Sequence, residues 1–236
     1  MRLVELSRAE HSYLRLSSAR IKALASEVHM VPLVASELRK AATTYPVVFA
    51  KNPDTGEFYP VALMGLEPHE NLYWDGADLD AAYVPLNLLR QPFYVGGDDA
   101  GTGAMCIDMD SSVLDPGGDH AIVEADGSDS KYITTVHAML SELMGQQIAT
   151  RGFVDTALAR ELVTPLKLEI TFADGSDVGL AGLYGIDERR VARALRDIED
   201  AEEALTLTAL ALSLDHIAGL VRRKNRQRDA DKAWLS

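Results

Sequence analysis

YPVVFAKNPDTGEFYPVALMGL, residues 45–66, decides the fold. Two runs rich in β-branched and aromatic residues, 47–51 and 58–66, flank Asn52-Pro53-Asp54-Thr55-Gly56-Glu57. In such a linker proline presets φ, and glycine admits the positive φ that a reversal needs. The stretch predicts an antiparallel hairpin with Gly56 in its turn.

Upstream of the hairpin, Ser36 is the expected N-cap of a short helix through Ala42, with Glu37 in the first turn where a carboxylate favours the helix dipole. Tyr45-Pro46 ends that helix. Residues 1–30 give only a short strand near 2–6 and a helix near 19–26, followed by Val31-Pro32-Leu33. Downstream, LEPHENLYWDGADLDA (66–81) is polar but carries Leu72, Tyr73 and Trp74, which predicts that part of it docks on the sheet. Residues 83–93 read as a proline-bounded helical turn or extended segment. Residues 96–130, rich in Gly, Asp and Ser, predict loops around strands at 104–107 and 121–124.

Residues 131–148 predict a helix capped from 128–130, because Ile133, Val136, Leu140, Leu143, Met144 and Ile148 fall on one helical face. A shorter helix is expected at 153–162. PLKLEITFADGSDVGLAGLYGI (165–186) alternates apolar and polar residues and turns at Asp174-Gly175, a second hairpin. Asp187 caps a helix from Glu188, and a long helix follows over 201–225 before a charged tail, 226–236. The expected fold is a single α+β domain, 1–236, with a mostly antiparallel sheet built from hairpins, helices packed on one side and a long C-terminal helix.

Composition narrows the function. The chain has 236 residues, 47% of them hydrophobic, with 36 acidic against 23 basic residues and a net charge of −13. That excess of negative charge opposes attraction to phosphate backbones and anionic lipid, so no nucleic acid partner is expected. The lone Cys106 can form no intramolecular disulfide, which suits a reducing compartment, and the cytoplasm is the expected location. Charged residues interrupt the N-terminus where a signal peptide would be apolar. No later stretch is expected to supply the roughly 20 apolar residues of a membrane span.

The sharpest catalytic candidate is AMCIDMD (104–110), an apolar strand followed by Asp-x-Asp as in the first motif of haloacid-dehalogenase phosphatases. There Asp108 would be nucleophile and magnesium ligand, and Asp110 the general acid/base. The alternating strands and helices and the later lysine and paired aspartates of that pattern do not follow, so a strand ending in a solvated acidic turn is preferred. Asp108, Asp110, Ser112 and Asp119 also approach calcium-loop spacing, but Val113 replaces the required glycine. The six histidines form no HExxH or His-x-Asp pattern, so no metal site and no cofactor is predicted. His137, on the apolar stripe, is expected to be a hydrogen-bonded histidine at the core edge. Gly101-Thr102-Gly103 is too short for a phosphate loop, and Cys106 in an apolar strand is expected to be packed.

Taken in order, YPVVF, NLYW through YVPLNLLRQPF, MCIDMD, GLYGIDE and LSLDHIAGLVRRKN (212–225) resemble the bacterial SapC family over about 31–225. Family members usually carry a more basic segment where this chain has Asn87-Leu88-Leu89-Arg90-Gln91. The resemblance implies no established catalytic residues. Its context, surface-layer loci and genes beside TonB-dependent receptors, cupin-like hydroxylases and flavin-dependent halogenases, implies an accessory role in nutrient uptake or protein modification. A non-enzymatic accessory or interaction protein is therefore the expected function. The alternatives are a magnesium-dependent hydrolase using Asp108 and Asp110, and a small-ligand binder using Tyr73, Trp74, Tyr83 and Arg90. Leu207, Leu210, Leu214, Ile217 and Val221 form one seam of the last helix, and Leu205, Leu212 and Leu220 a second apolar face; burial of both within the chain is the preferred reading, and a protein partner or homodimer on one of them is the alternative.

Overall fold

A computed structural model describes residues 1–96 and 103–235, and of 231 and 233–235 the backbone alone. Gly101 and Thr102 of the glycine triplet lie outside the described residues. The protein is α+β, with every strand pairing antiparallel. Its contacts divide into two compact units, each drawn from two separate stretches of sequence.

The first unit comprises Met1–Ala25 and Leu86–Gly145. Its three-stranded sheet has Ala104–Asp108 between Leu3–Glu5 and Phe93–Gly96, and a two-residue ribbon pairs Arg15–Leu16 with His120–Ala121. The expected strand at 121–124 is thus only its first residue. Leu16, Phe93, Ile107, Val113 and Ile122 form the core with Ile133, Val136 and Leu140 from the helix Lys131–Gly145. Ser130 caps that helix as expected, its hydroxyl accepting the Ile133 N–H at 3.2 Å. Cys106 is packed against Gly96, where an added Cβ would come within 2.7 Å of the sulfur.

Two expectations for this helix are corrected. It ends at Gly145, so Ile148 begins the next helix, Gln147–Ala159, and is 88% exposed. Glycine has no side chain to hold the helix against water, and the continuing polar Gln146-Gln147 offers no apolar face to carry the stripe on. His137 sits beside the stripe, exposed, because Val136 and Leu140 already fill the inward positions.

The second unit comprises Ser26–Pro85 and Gln146–Ser236. Its five strands lie in the order Met30–Pro32, Phe58–Leu63, Val47–Lys51, Tyr184–Ile186 and Val163–Pro165. The 45–66 hairpin is as read: Val48 faces Val61, Lys51 faces Phe58, and Gly56 has φ +74. The Gly56 N–H donates to Asn52 O at 2.8 Å, and the Asn52 side chain accepts the N–H groups of Asp54 and Thr55. Four of the five residues of Val47–Lys51 are buried, so both faces of this strand are covered. Helices Gln147–Ala159 and Ala201–Ser213 pack on this sheet, with Tyr45, Phe49, Leu63, Met64, Leu162 and Ile186 in its core.

The second hairpin, Leu168–Thr171 with Asp177–Leu180, turns at Gly175 (φ +82) and forms a separate two-stranded sheet. Asp187 caps Glu188–Ala194 through the Arg190 N–H at 2.9 Å. Ser36 is not a cap: a 3-10 turn, Ala35–Glu37, starts before it and leads into Leu38–Ala42. The buried Glu37 carboxylate takes the capping part instead, accepting the Val34 N–H at 3.2 Å. The long C-terminal helical stretch runs Ala201–Ser213 and His216–Leu235, joined by a tight turn in which the N–H of Leu214, Asp215 and Ile217 each reach back three residues.

Candidate functional site

The polar groups of the second unit converge where the C-terminal helix crosses the 66–83 segment. Tyr45, three residues past the helix Leu38–Ala42, is fully buried, and its ring meets Tyr73 edge-on at 4.7 Å. The Tyr45 hydroxyl donates to Tyr83 O, Tyr73 donates to Thr44 O at 2.9 Å, and Tyr83 donates to Glu37 Oε1 at 2.7 Å. Burial pushes the Tyr45 phenol far above its ordinary value. Tyr73 is likewise raised by burial, to about 12, against the opposing pull of Arg223. Both stay protonated donors at neutral pH. With these three phenols given to a carbonyl or to Glu37, the cluster clamps the 71–83 segment to the sheet, while the buried Thr44 hydroxyl has no hydrogen-bond partner among the described residues.

Above this cluster lies the helix His216–Leu235. Arg223 covers the Tyr73 ring at 4.6 Å and pairs with Asp80 at 2.9 Å. Lys224, 8% exposed, pairs with Glu67 at 2.6 Å and with Glu70. Burial pulls the Lys224 ammonium down, but the two carboxylates outweigh it and leave it above its ordinary value. The Lys224 hydrogen bond holds Glu67 below the usual carboxylate range. Arg228 covers Phe172 at 4.1 Å and pairs with Asp174 at 3.2 Å. The Ser176 hydroxyl and N–H, helped by Arg228 and Lys232, bring Asp174 down to about 2. The sequence carried a signal for this network: Lys224 and Arg228 follow buried Leu220 at spacings of four, so they share its face.

The structure brings Tyr73 and Tyr83 into one cluster, while Trp74 sits half-buried and bridges Leu79. Arg90, in the first unit, spends donors on Asn87 Oδ1 (2.8 Å) and Phe93 O (2.5 Å) and lies 4.4 Å over the Tyr94 ring. Asp108 ends its strand with Oδ1 accepting the N–H groups of Arg2 (2.8 Å) and Asp110 (3.1 Å). Asp110 faces the N-terminal amine at 3.5 Å and Arg2 Nε at 3.6 Å. Among the described residues no three His, Cys, Asp or Glu side chains are grouped to hold a metal.

The proposed seam divides. Leu207 and Leu210 are buried in the second unit, and Leu214, Ile217 and Val221 are half-buried. Of the other face, Leu220 is fully buried, while Leu205 and Leu212 are 56% and 52% exposed. The turn at Leu214-Asp215 separates them, rotating the later residues so that Leu220 points into the core. Within Ala201–Ala230 an 18-residue window has a mean hydropathy of 1.6, apolar enough by length and composition alone to cross a membrane, a test that the core helix of a soluble protein passes as well. A groove of about 660 Å³ lies between the first hairpin and Gln147–Ala159, lined by Val34, Phe58, Tyr59, Val154 and Leu158 and spanned by Arg151–Glu57 at 2.9 Å.

A family model described as SapC matches residues 6–220. No curated protein matches the chain, and no solved structure matches it.

Proposed function

The chain belongs to the SapC family, and from that premise we propose that it is a non-enzymatic accessory protein that acts by holding a protein partner or a second copy of itself. The observation that carries this reading is the pair Leu205 and Leu212, two turns apart on Ala201–Ser213 and each more than half exposed, on a helix whose other face carries buried Leu207 and Leu210. Apolar side chains aligned on one exposed stripe lower the free energy of association when a second apolar surface covers them.

The commitment of Tyr45, Tyr73, Tyr83, Glu37 and Lys224 to internal partners supports the same reading, since none of these five is left as a free base or nucleophile. The hydrolase alternative through Asp108 and Asp110 gains nothing from the geometry. The strands beside Asp108 run antiparallel, and its Oδ1 is taken up by two backbone N–H groups. In this reading the protein works in a bacterial cytoplasm, in a surface-layer, nutrient-uptake or protein-modification system, without nucleic acid, cofactor or membrane span.

Light scattering on wild type, Leu212→Asp and Leu207→Asp tests it. Leu212→Asp should stay folded and lose the dimer or the partner captured from the native host, whereas Leu207→Asp should unfold. The reading fails if Leu212→Asp keeps the wild-type mass and the wild-type partners. Magnesium-dependent phosphatase turnover abolished by Asp108→Asn would establish the hydrolase instead.

A further inference from the structure

The last helix changes its mode of attachment at Leu220. Up to that residue Leu207, Leu210 and Leu220 anchor the helical stretch through apolar burial. Beyond it, the only buried side chain among those described is Lys224. The polar attachments there are Arg223 to Asp80, Lys224 to Glu67 and Glu70, Arg228 to Asp174 (3.2 Å), Glu67 (3.4 Å) and the Ser176 hydroxyl, and Lys232 to Asp174 (3.8 Å). In addition, Asn225 Oδ1 accepts the Ala173 N–H at 3.0 Å.

These attachments differ in how far salt can reach them. The Lys224 and Glu70 side chains are each 10% exposed, so their pair is shielded from counterions, while Lys232 is 62% exposed and its pair is not. A charged helical segment of this length has little stability of its own in water. We propose that residues 225–235 form a releasable strap hinged at Lys224, held down by ion pairs and loosened by ionic competition. Its release frees the face of Phe172 that Arg228 now covers, the Asp174 carboxylate from Arg228 and Lys232, and Oε1 of Glu67, whose Oε2 stays on Lys224. Arg223 and Lys224, on the near side of the hinge, keep Tyr73 covered and Glu70 paired. The surface exposed in this way is acidic with an aromatic floor, the chemistry that receives a cationic helix, since a cationic helix already fills it.

Hydrogen exchange read by mass spectrometry on the full chain tests the strap. Raising salt from about 0.05 M to about 1 M should speed exchange of amides 226–235 about tenfold or more, with 207–220 unchanged. Arg228→Gln should give the same acceleration at low salt, and Lys224→Met should extend it back to Val221. Two results overturn the proposal: amides 226–235 as protected as 207–220 in every condition, or exchanging equally fast at both salt concentrations. The salt series on wild type decides the question even if a variant folds poorly.

Discussion

Replacing Gly56 tests the hairpin through its backbone alone. A Cβ added there would meet only Lys51 Cε, at an ordinary 3.6 Å, so no neighbour has to move. What changes is the cost of φ +74. A left-handed conformation costs an L-residue about 1–2 kcal/mol, and the stiffer unfolded chain returns about 0.4–1 kcal/mol of that. Gly56→Ala should therefore destabilise by about 1 kcal/mol. Gly56→Val should approach about 2 kcal/mol because its branched Cβ tolerates the region least. Gly56→Asn should cost least of the three. Gly179→Ala is the control in the same unit: its Cβ meets open space, its φ is not positive, and it lies within a strand. It should be neutral or stabilising by up to about 1 kcal/mol. Urea denaturation followed by circular dichroism and tryptophan fluorescence gives the midpoints and shows whether the slope has changed. An unchanged midpoint for Gly56→Val, or equal costs for valine and asparagine, would refute the account of the turn.

Two more outcomes are expected. Gly118→Ala should destabilise the first unit by about 1–3 kcal/mol in the same assay, because its Cβ would fall 2.3 Å from the Leu16 carbonyl oxygen and the backbone would have to shift; wild-type stability would mean the loop lies elsewhere. Asp174, held near 2 when folded, binds fewer protons than its unfolded form between about pH 4 and pH 2. The stability it adds is thus full above about pH 4 and lost as pH falls toward 2, and Asp174→Asn should flatten that part of the stability-against-pH curve.

The sequence was most legible where neighbours along the chain settle the conformation. Gly56, Gly175, Ser130 and Asp187 each act on backbone within four residues, and each stands where the turn or cap was expected. Reading failed where a local pattern had two solutions. Ser36 is the best cap by type in its stretch, but the turn starts before it and the buried Glu37 carboxylate accepts the Val34 N–H instead. Ile148 continues a helical stripe by arithmetic, although the helix ends at Gly145.

The candidate site was half legible. Leu72, Tyr73 and Trp74 marked part of 66–81 as a docking segment, and the Tyr73 ring does pack on Tyr45. Lys224 and its carboxylates were missed, because a cation in a charged tail looks the same whether it is solvated or paired with Glu67 and Glu70. What the sequence by itself determined is the two hairpins and the Ser130 and Asp187 caps with the helices they open, since steric limits on φ and capping hydrogen bonds act within a turn of chain. Only the tertiary structure decided that Tyr184–Ile186 lies beside Val47–Lys51, that the chain divides into two units, that Leu220 turns in while Leu212 stays out, and which carboxylates hold the last helix. Those choices depend on which distant surfaces exclude water together, and burial of that kind has no signature at the spacing of neighbouring residues.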